Sequence, residues 1–225
     1  MTLRETIAPS ERPRERLIRM GAQSLTDAEL LALLLGSGVK GRNALAVAND
    51  ILKNFDGLRG LQRQNITQLK KERGLGTARA CLLTAAFELG LRASLAQIRT
   101  GEPLTRSDLV RNYCRAALSN RPIEHCIALL LDAQNRLIET QEVSRGTISQ
   151  TQVYAREVAR LALEHHASAL ILAHNHPSGL ARPSAADIAL THELAQALAL
   201  VDVALIDHLI VAGPHVISLA ELGHF

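Results

Sequence analysis

The second half of the chain alternates between two hydrophobic patterns, one typical of helices and one typical of strands. The predicted elements are a helix to about Leu118, strands over Glu124–Leu131 and Arg136–Val143, a helix over Thr151–Ala167, a strand over Ala169–His174, a helix from Ser184 to about Leu200, a strand over Ala204–Val211 and a short tail at Ile217. Helices that alternate with strands in this way predict an α/β domain built around one sheet.

The pattern in the first half predicts helices joined by short turns that contain glycine. An apolar run over Leu30–Leu35 ends at Gly36-Ser37-Gly38, and a new helical pattern begins near Asn43. A short polar helix over Asn65–Glu72 and a longer helix over Thr77–Ala93 follow. We therefore expect this half to be an all-helical module.

The two halves are joined by a segment with the composition of a linker. Residues 97–103 lose the apolar periodicity and contain both Gly101 and Pro103. The sequence thus predicts a helical module over residues 1–99 and an α/β domain over residues 103–225.

Composition excludes several classes of protein. Hydrophobic residues make up 47% of the chain and charged residues 21%, which is ordinary for a soluble globular protein and argues against disordered and fibrous classes. Aromatic residues make up only 2%, with no tryptophan, so a stacking platform for single-stranded nucleic acid is nearly ruled out. The three cysteines, Cys81, Cys114 and Cys126, lack C-x-x-C spacing, which excludes a cysteine zinc finger.

Neither a membrane span nor a secretory segment is expected from the sequence. No stretch approaches the roughly 18 uncharged apolar residues of a membrane span, and the first 20 residues are charged throughout. We therefore predict a cytoplasmic protein with no membrane partner.

Charge divides the chain into a basic half and an acidic half. Residues 1–100 contain 16 basic and 9 acidic residues, a net charge of +7, whereas residues 101–225 contain 9 basic and 13 acidic residues, a net charge of −4. Such a split favours a module that contacts a polyanion joined to one that does not. A genome of biased base composition would explain the same arginine content.

One turn in the basic half has a pattern suited to phosphate. Gly74, Gly76, Thr77 and Arg79 combine a G-x-G turn with a helix start, so that backbone N–H groups can approach a phosphate. The segment resembles the helix-hairpin-helix motif, which implies sequence-independent DNA contact, but Glu72 stands where that motif usually has an apolar residue. A plain glycine turn between two helices is the competing interpretation.

The densest group of potential metal ligands follows the predicted strand Ala169–His174. His174 and His176 lie two positions apart, so both imidazoles of an extended segment point the same way. Asp187, in the first turn of the next predicted helix, can direct its carboxylate back toward them. This set leaves a fourth tetrahedral position for water and favours Zn²⁺, one per chain, over Fe²⁺ or Mn²⁺. Ser184 and Asp187 alone also fit a helix capping box.

The same residues carry a family resemblance. H-x-H-P, with Ser184 eight and Asp187 eleven residues after His176, is similar to the JAMM motif of MPN-domain metallopeptidases. The chain resembles the bacterial RadC family over nearly its whole length, through Glu11-Arg12-Pro13-Arg14-Glu15, Gly21-Ala22, Asp27-Ala28-Glu29-Leu30-Leu31, Gly74-Leu75-Gly76, HNHPSG at 174–179 and Asp207-His208. The resemblance implies a cytidine-deaminase-like α/β/α fold, zinc ligation by the two histidines and Asp187, and help from Ser184 in holding the oxyanion.

The JAMM motif also requires an upstream glutamate. In the family this residue sits at the start of an apolar strand that follows a helix, and Glu124 matches that position. The resemblance implies that Glu124 is the general base; Glu142 and Glu157 are rivals. Asp207-His208 is either a pair that supports the metal ligands or a satisfied pair in the core.

Two functions compete at this point. The first is a zinc hydrolase that cleaves peptide or isopeptide bonds with zinc-activated water. The second is a DNA-associated accessory protein of repair or recombination without proteolytic activity. A nuclease is a minor alternative because consecutive His-Asn-His does not match the scattered residues of HNH nucleases, and a zinc deaminase would need a paired-cysteine motif that the chain lacks.

Overall fold

The computed structural model describes residues 8–99, 101, 103–104, 107–146 and 153–224. The chain forms two compact units, Met1–Leu89 and Gly90–Phe225, and the division falls within one long helix. The predicted linker at 97–103 includes Thr100 and Glu102, which lie outside the described residues. The boundary predicted at the linker therefore stays a prediction.

The first unit is helical, as the glycine-punctuated pattern predicts. After a short 3₁₀ turn its helices are α1 (Pro13–Met20), α2 (Asp27–Leu35), α3 (Ala44–Asn54), α4 (Gly57–Gln62), α5 (Ile66–Leu69) and the start of α6 (Thr77–Ile98). Thr26 begins α2 with a capping box in which its hydroxyl accepts from Glu29 N–H and its own N–H donates to the Glu29 carboxylate. Glu29 also pairs with Arg16, which ties α1 to α2.

The core of the first unit consists of aliphatic side chains from all of these helices except α1. Leu31 and Leu35 of α2 pack against Val47 and Ile51 of α3. Leu75, in the turn before α6, is fully buried in the same cluster. Because the chain has few aromatic residues, closely packed leucine, isoleucine, valine and alanine side chains fill this core.

The second unit is an α/β domain. Its elements are the end of α6, α7 (Ser107–Leu118), β1 (His125–Leu131), β2 (Leu137–Arg145), α8 (Ala155–Glu164), β3 (Ala169–Asn175), α9 (Ala185–Ala199), β4 (Ala204–Ala212) and β5 (His215–Ser218). The described strands form one sheet in the order β2-β1-β3-β4-β5, in which only β3 and β4 are parallel. The strand β5 replaces the short tail that the sequence predicts at Ile217.

Helices cover both faces of this sheet. Because side chains alternate along a strand, Leu129 and Leu131 of β1 face the cluster that contains α7, whereas Ala128 and Leu130 face the cluster that contains α8 and α9. The buried strand β3 contributes to both clusters in the same way. This three-layer arrangement leaves the sheet ends as the places where polar groups can gather.

One described helix has the length and composition of a membrane span. Thr77–Ile98 has 22 residues and a window of mean hydropathy 1.3, although Glu88 and Arg92 interrupt it. Length and composition alone are weak grounds for a span. Leu83, near the start, belongs to the core of the first unit, and Ile98, at the end, belongs to the core of the second.

Candidate metal centre

The candidate centre lies at the carboxyl end of β3, where β3 runs parallel to β4. His174 is the penultimate residue of β3, and His176 follows directly after the strand. Asp187 lies in the first turn of α9, which packs on the same face of the sheet as the two imidazoles. The carboxyl ends of parallel strands are common ligand sites, and here an approaching helix start adds a carboxylate.

The three side chains meet at one point. Nε2 of His174 lies 3.0 Å from Nε2 of His176. The carboxylate of Asp187 bridges the pair, with Oδ1 at 3.2 Å from His174 Nε2 and Oδ2 at 3.3 Å from His176 Nε2. Among the described residues, this is the one group of three metal-ligating side chains whose donor atoms lie within 4.8 Å of one another.

Hydrogen bonds determine which nitrogen of His174 is free. Thr191 donates its only hydroxyl proton to the backbone carbonyl of Asp187 at 2.7 Å, so its oxygen must accept from His208 Nδ1 at 2.7 Å. Nε2 of His208 then carries a lone pair, and it accepts a hydrogen bond from His174 Nδ1 at 2.8 Å. In its neutral form His174 therefore presents the lone pair of Nε2 to the centre.

The second imidazole is oriented by a backbone carbonyl. His176 Nδ1 lies 3.0 Å from the carbonyl oxygen of Leu180. A carbonyl can only accept, so Nδ1 carries a proton, and in the neutral ring Nε2 presents a lone pair to the centre. Such hydrogen bonds from the outer ring nitrogen are the usual way in which metal-binding histidines are held.

This donor set fits a divalent cation. Two lone pairs 3.0 Å apart beside a carboxylate repel one another unless a proton or a metal ion lies between them. Ligands 2.0–2.1 Å from a tetrahedral zinc are about 3.3 Å apart. Here the two nitrogens lie 3.0 Å apart, and each lies 3.2 or 3.3 Å from a different oxygen of Asp187. Nitrogen and oxygen donors at this spacing suit Zn²⁺.

Without a metal ion, protons on the histidines take its place beside the carboxylate, and the pKa shifts describe this metal-free state. Burial raises the pKa of Asp187, but hydrogen bonds from His174 and His176 outweigh it and hold that pKa well below its ordinary value, so the carboxylate is charged. The hydrogen bond with Asp187 raises the pKa of His176. Burial and the neighbouring His174 together lower the pKa of His208 to about 3, so His208 is neutral, as the hydrogen-bond network requires.

Ser184 holds the carboxylate of Asp187 in place. As the N-cap of α9, it donates from its backbone N–H and from its hydroxyl to Asp187 Oδ2, each at 2.7 Å, and accepts from Asp187 N–H at 3.1 Å. The capping-box interpretation and the metal-ligand interpretation of Asp187 are therefore compatible, because the cap orients the carboxylate toward the histidines.

Glu124 precedes β1 at the same end of the sheet. Cys126 pairs with His174 in the antiparallel ladder, and two further steps bring Glu124 opposite His176. The half-buried Glu124 is close enough that its charge helps to raise the pKa of His176. The rivals are engaged elsewhere: Glu142 contacts Nδ1 of His125 at 2.8 Å, and Glu157 pairs with exposed arginines of α8.

Comparison with known proteins agrees with the sequence resemblance. Residues 104–224 match the RadC-like JAB domain, and residues 5–81 match the UPF0758 N-terminal domain. The chain belongs to the RadC family. UPF0758 proteins of Bordetella bronchiseptica and Chromobacterium violaceum are 54% and 48% identical to it, over 100% and 95% of this chain and 100% and 96% of their own lengths. A UPF0758 protein of Thiobacillus denitrificans is 45% identical over 95% of each chain.

Sequence analysis of this RadC-family chain missed three contributors to the centre. Thr191 completes the network that sets the histidine tautomer, Leu180 supplies a carbonyl, and Asn175 binds the segment before β1. Of the pair Asp207-His208, only His208 supports the ligands. Asp207 instead accepts from Ser218 Oγ and from the backbone N–H of His208.

In the first unit, the glycine turn before α6 is held by hydrogen bonds from Arg79. The guanidinium of Arg79 donates to the carbonyl of Gly74 at 2.9 Å and to the carbonyl and hydroxyl of Ser37 at 2.6 and 2.7 Å. Thr77 begins α6, and a Cβ at the exposed Gly76 would meet nothing within 4 Å. Arg79 thus links two turns of the first unit, and DNA contact at this turn stays a prediction.

Proposed function

We propose that this protein is a zinc-dependent hydrolase that cleaves peptide or isopeptide bonds, with one zinc ion per chain. The observation that carries the proposal is the spacing of the donor groups: the two Nε2 atoms lie 3.0 Å apart, and each lies 3.2 or 3.3 Å from a different oxygen of the Asp187 carboxylate. Membership of a family with a RadC-like JAB domain supports the hydrolase class.

Each side chain has a distinct role in the proposed reaction. His174, His176 and Asp187 hold the zinc ion and leave a fourth position open. When bound, zinc polarises a carbonyl group and lowers the pKa of water to about 7. Glu124 accepts a proton from the attacking water as the C–O bond forms and returns it to the amine as the C–N bond breaks.

Ser184 has a second task in this reaction. Its hydroxyl donates to Asp187 Oδ2 at 2.7 Å, but a hydroxyl hydrogen rotates freely about the C–O bond. Turned toward the substrate, the hydroxyl stabilises the developing oxyanion. The carboxylate of Asp187 still accepts a hydrogen bond from the backbone N–H of Ser184, also at 2.7 Å.

Metal analysis and cleavage assays test the proposal together. We expect one zinc ion per purified chain by mass spectrometry, and loss of that zinc in His174→Ala and Asp187→Ala. Internally quenched peptides and lysine-linked isopeptides serve as substrates. Glu124→Gln should retain zinc and lose cleavage by about 10²–10⁴-fold, whereas the matched Glu142→Gln should retain both.

Two results would overturn it. Purified protein that binds no zinc at micromolar concentration contradicts the metal centre. Cleavage that survives both His174→Ala and chelation would show that hydrolysis takes place at another site.

A second function, DNA association through the first unit, has its own support. Residues 1–100 carry a net charge of +7, and the turn at Gly76 is exposed beside the start of α6. Binding of the full chain to a fluorescent duplex should weaken steeply between 50 and 200 mM salt, as phosphate contacts require. Absent or salt-independent binding would remove this function.

Finer features of the architecture belong to the same proposal. The turn between α5 and α6 supports a helix-hairpin-helix-like module, and helices on both faces of the sheet support a deaminase-like α/β/α arrangement. We place the activity in the cytoplasm, because the one candidate span in the described chain contributes to both cores.

A further inference from the structure

Asn175 separates the two histidines and faces the opposite side of the sheet, because successive side chains of a strand alternate. It is only 2% exposed. Its Oδ1 accepts from the backbone N–H of His125 at 2.8 Å, and its Nδ2 donates to the carbonyls of Ile123 and Arg121 at 3.0 and 3.3 Å. The amide is therefore bonded through both its donor and its acceptor atoms to residues 121–125, where the chain enters β1.

Two of these hydrogen bonds flank Glu124. The carbonyl of Ile123 belongs to the peptide unit before Glu124, and the N–H of His125 belongs to the unit after it. Between two planar peptide units, the only soft torsions are φ and ψ of the residue that joins them. Holding both planes with one side-chain amide therefore fixes the direction of the Cα–Cβ bond of Glu124.

A third bond completes this support. The carbonyl of Glu124 accepts from the backbone N–H of Gly146 at 2.9 Å, at the end of β2. Glu124 is consequently held from β3 through Asn175 and from β2 through the backbone. The strand that carries the candidate metal ligands thus also sets the backbone of the acid opposite them.

We propose that Asn175 is a positioning residue that fixes the backbone on both sides of Glu124 and so holds its carboxylate beside the metal position. The proposal rests on the proposed function, because a positioned general base matters only for a hydrolytic step. An amide is the side chain that this task requires. Aspartate keeps the acceptor for His125 N–H but cannot donate to the two carbonyls, and leucine offers neither group.

The experiment compares Asn175→Leu and Asn175→Asp with Asp132→Asn in the full-length, zinc-loaded chain. Asp132 is a matched control at the far end of β1, where its side chain also accepts from two backbone N–H groups, each at 2.9 Å. Hydrogen exchange of peptides that cover residues 119–126 reports on the segment. Competition with a fluorescent chelator reports on zinc affinity.

In both Asn175 variants we expect exchange over residues 121–125 to accelerate at least about 10-fold, since the buried hydrogen bond of His125 is lost or strained. Zinc affinity should stay within about threefold of the unsubstituted chain, because the ligand side chains point to the other face. The control should change exchange only near residues 132–136. If Asn175→Leu fails to fold, Asn175→Asp decides.

Unchanged exchange at residues 121–125 would overturn the proposal. Loss of zinc in step with faster exchange would overturn it too, since Asn175 would then serve the ligands rather than the acid.

Kinetics on a quenched peptide that the unsubstituted chain cleaves separate positioning from general structure. Asn175→Asp should lower kcat by about 10–100-fold with KM unchanged, the size expected when a reacting group is misplaced. In a Glu124→Gln background the same substitution should lower kcat by less than about twofold, because the group it positions is already gone. Multiplicative losses would show that Asn175 acts independently of Glu124.

Failure of the hydrolase assignment can be distinguished from failure of the role proposed for Asn175. If the unsubstituted chain cleaves no peptide, the hydrolase assignment fails, and exchange and zinc affinity alone still decide whether Asn175 holds the segment at Glu124.

Discussion

The end of β3 and the turn before α6 use their polar groups in opposite ways. At the end of β3, two imidazoles and a carboxylate converge on one point, where a proton or a metal ion can lie between them. At the turn, the guanidinium of Arg79 donates three hydrogen bonds to groups of its own unit. Donors that are used within the protein hold the fold, whereas polar groups aimed at a shared point can bind a ligand there.

This comparison predicts that the supports of the metal centre act on zinc affinity. His208→Leu should weaken zinc binding by about 10–100-fold, the usual effect of losing such a support, because His174 loses the acceptor that keeps its proton on Nδ1. Thr191→Val should weaken it less, since His208 itself remains. Chelator competition measures both, with the exposed His192→Ala on α9 as control. Equal effects of His192→Ala and His208→Leu would contradict the network.

The two glycines of the turn predict a contrast in stability. Gly74 has φ of +97° and a Cβ there would lie 2.7 Å from Cγ1 of Val47, whereas a Cβ at Gly76 would meet nothing within 4 Å. Gly74→Ala should lower the free energy of unfolding by about 1–3 kcal/mol, and Gly76→Ala should change it by less than about 0.5 kcal/mol. Urea denaturation measures both, and similar losses would show that the contrast is wrong.

Substitution of Gly76 also tests whether this turn contacts DNA. If backbone N–H groups of the turn approach phosphate, the added methyl of Gly76→Ala should weaken duplex binding while stability is kept. Unchanged binding would remove the turn from any DNA surface.

Arg79 should prove structural. Arg79→Ala removes three hydrogen bonds from a partly buried cation and should lower the free energy of unfolding by about 1–2 kcal/mol. The exposed Arg73→Ala in the same turn serves as the control and should have little effect. A loss of duplex binding by Arg79→Ala without a loss of stability would reverse this interpretation.

The smallest expected effect is a pH dependence of the metal-free chain. The pKa of His176 is raised by its hydrogen bond with Asp187, so the pair stabilises the fold below the unfolded pKa of about 6.5, and this stability is lost as pH rises through the folded pKa. The lowered pKa of Asp187 acts only in acid, where stability is lost as pH falls. Thermal unfolding between pH 6 and 8 should show Tm decreasing, and Asp187→Asn should flatten the slope.

Much of the fold could be predicted because local patterns carry it. The strand predicted from Glu124 begins at His125 in the structure, and the helix predicted from Ser184 begins one residue later with Ser184 as its cap. The helix predicted to reach Ala167 ends at Glu164, and His166 has a positive φ of 52°. The edge strand β5 was missed because four residues carry too little periodicity to mark a strand.

The candidate site divides in the same way between local and distant information. The two-residue spacing of His174 and His176 and the cap spacing of Ser184 and Asp187 are local, so the chain alone predicted their directions. The Glu124 position came from the family resemblance, and its placement opposite His176 depends on how β1 pairs with β3.

What the sequence determined by itself was the set of possible ligands, because strand and helix periodicities fix which neighbouring side chains share a face. What only the tertiary structure decided was which distant groups hold the site: Thr191 and His208 behind the imidazole of His174, and Asn175 against the segment that carries Glu124. Their hydrogen bonds join residues 17, 34 and 50 positions apart. Contacts over such separations follow from strand order, register and helix packing, and these depend on the whole chain rather than on any local pattern.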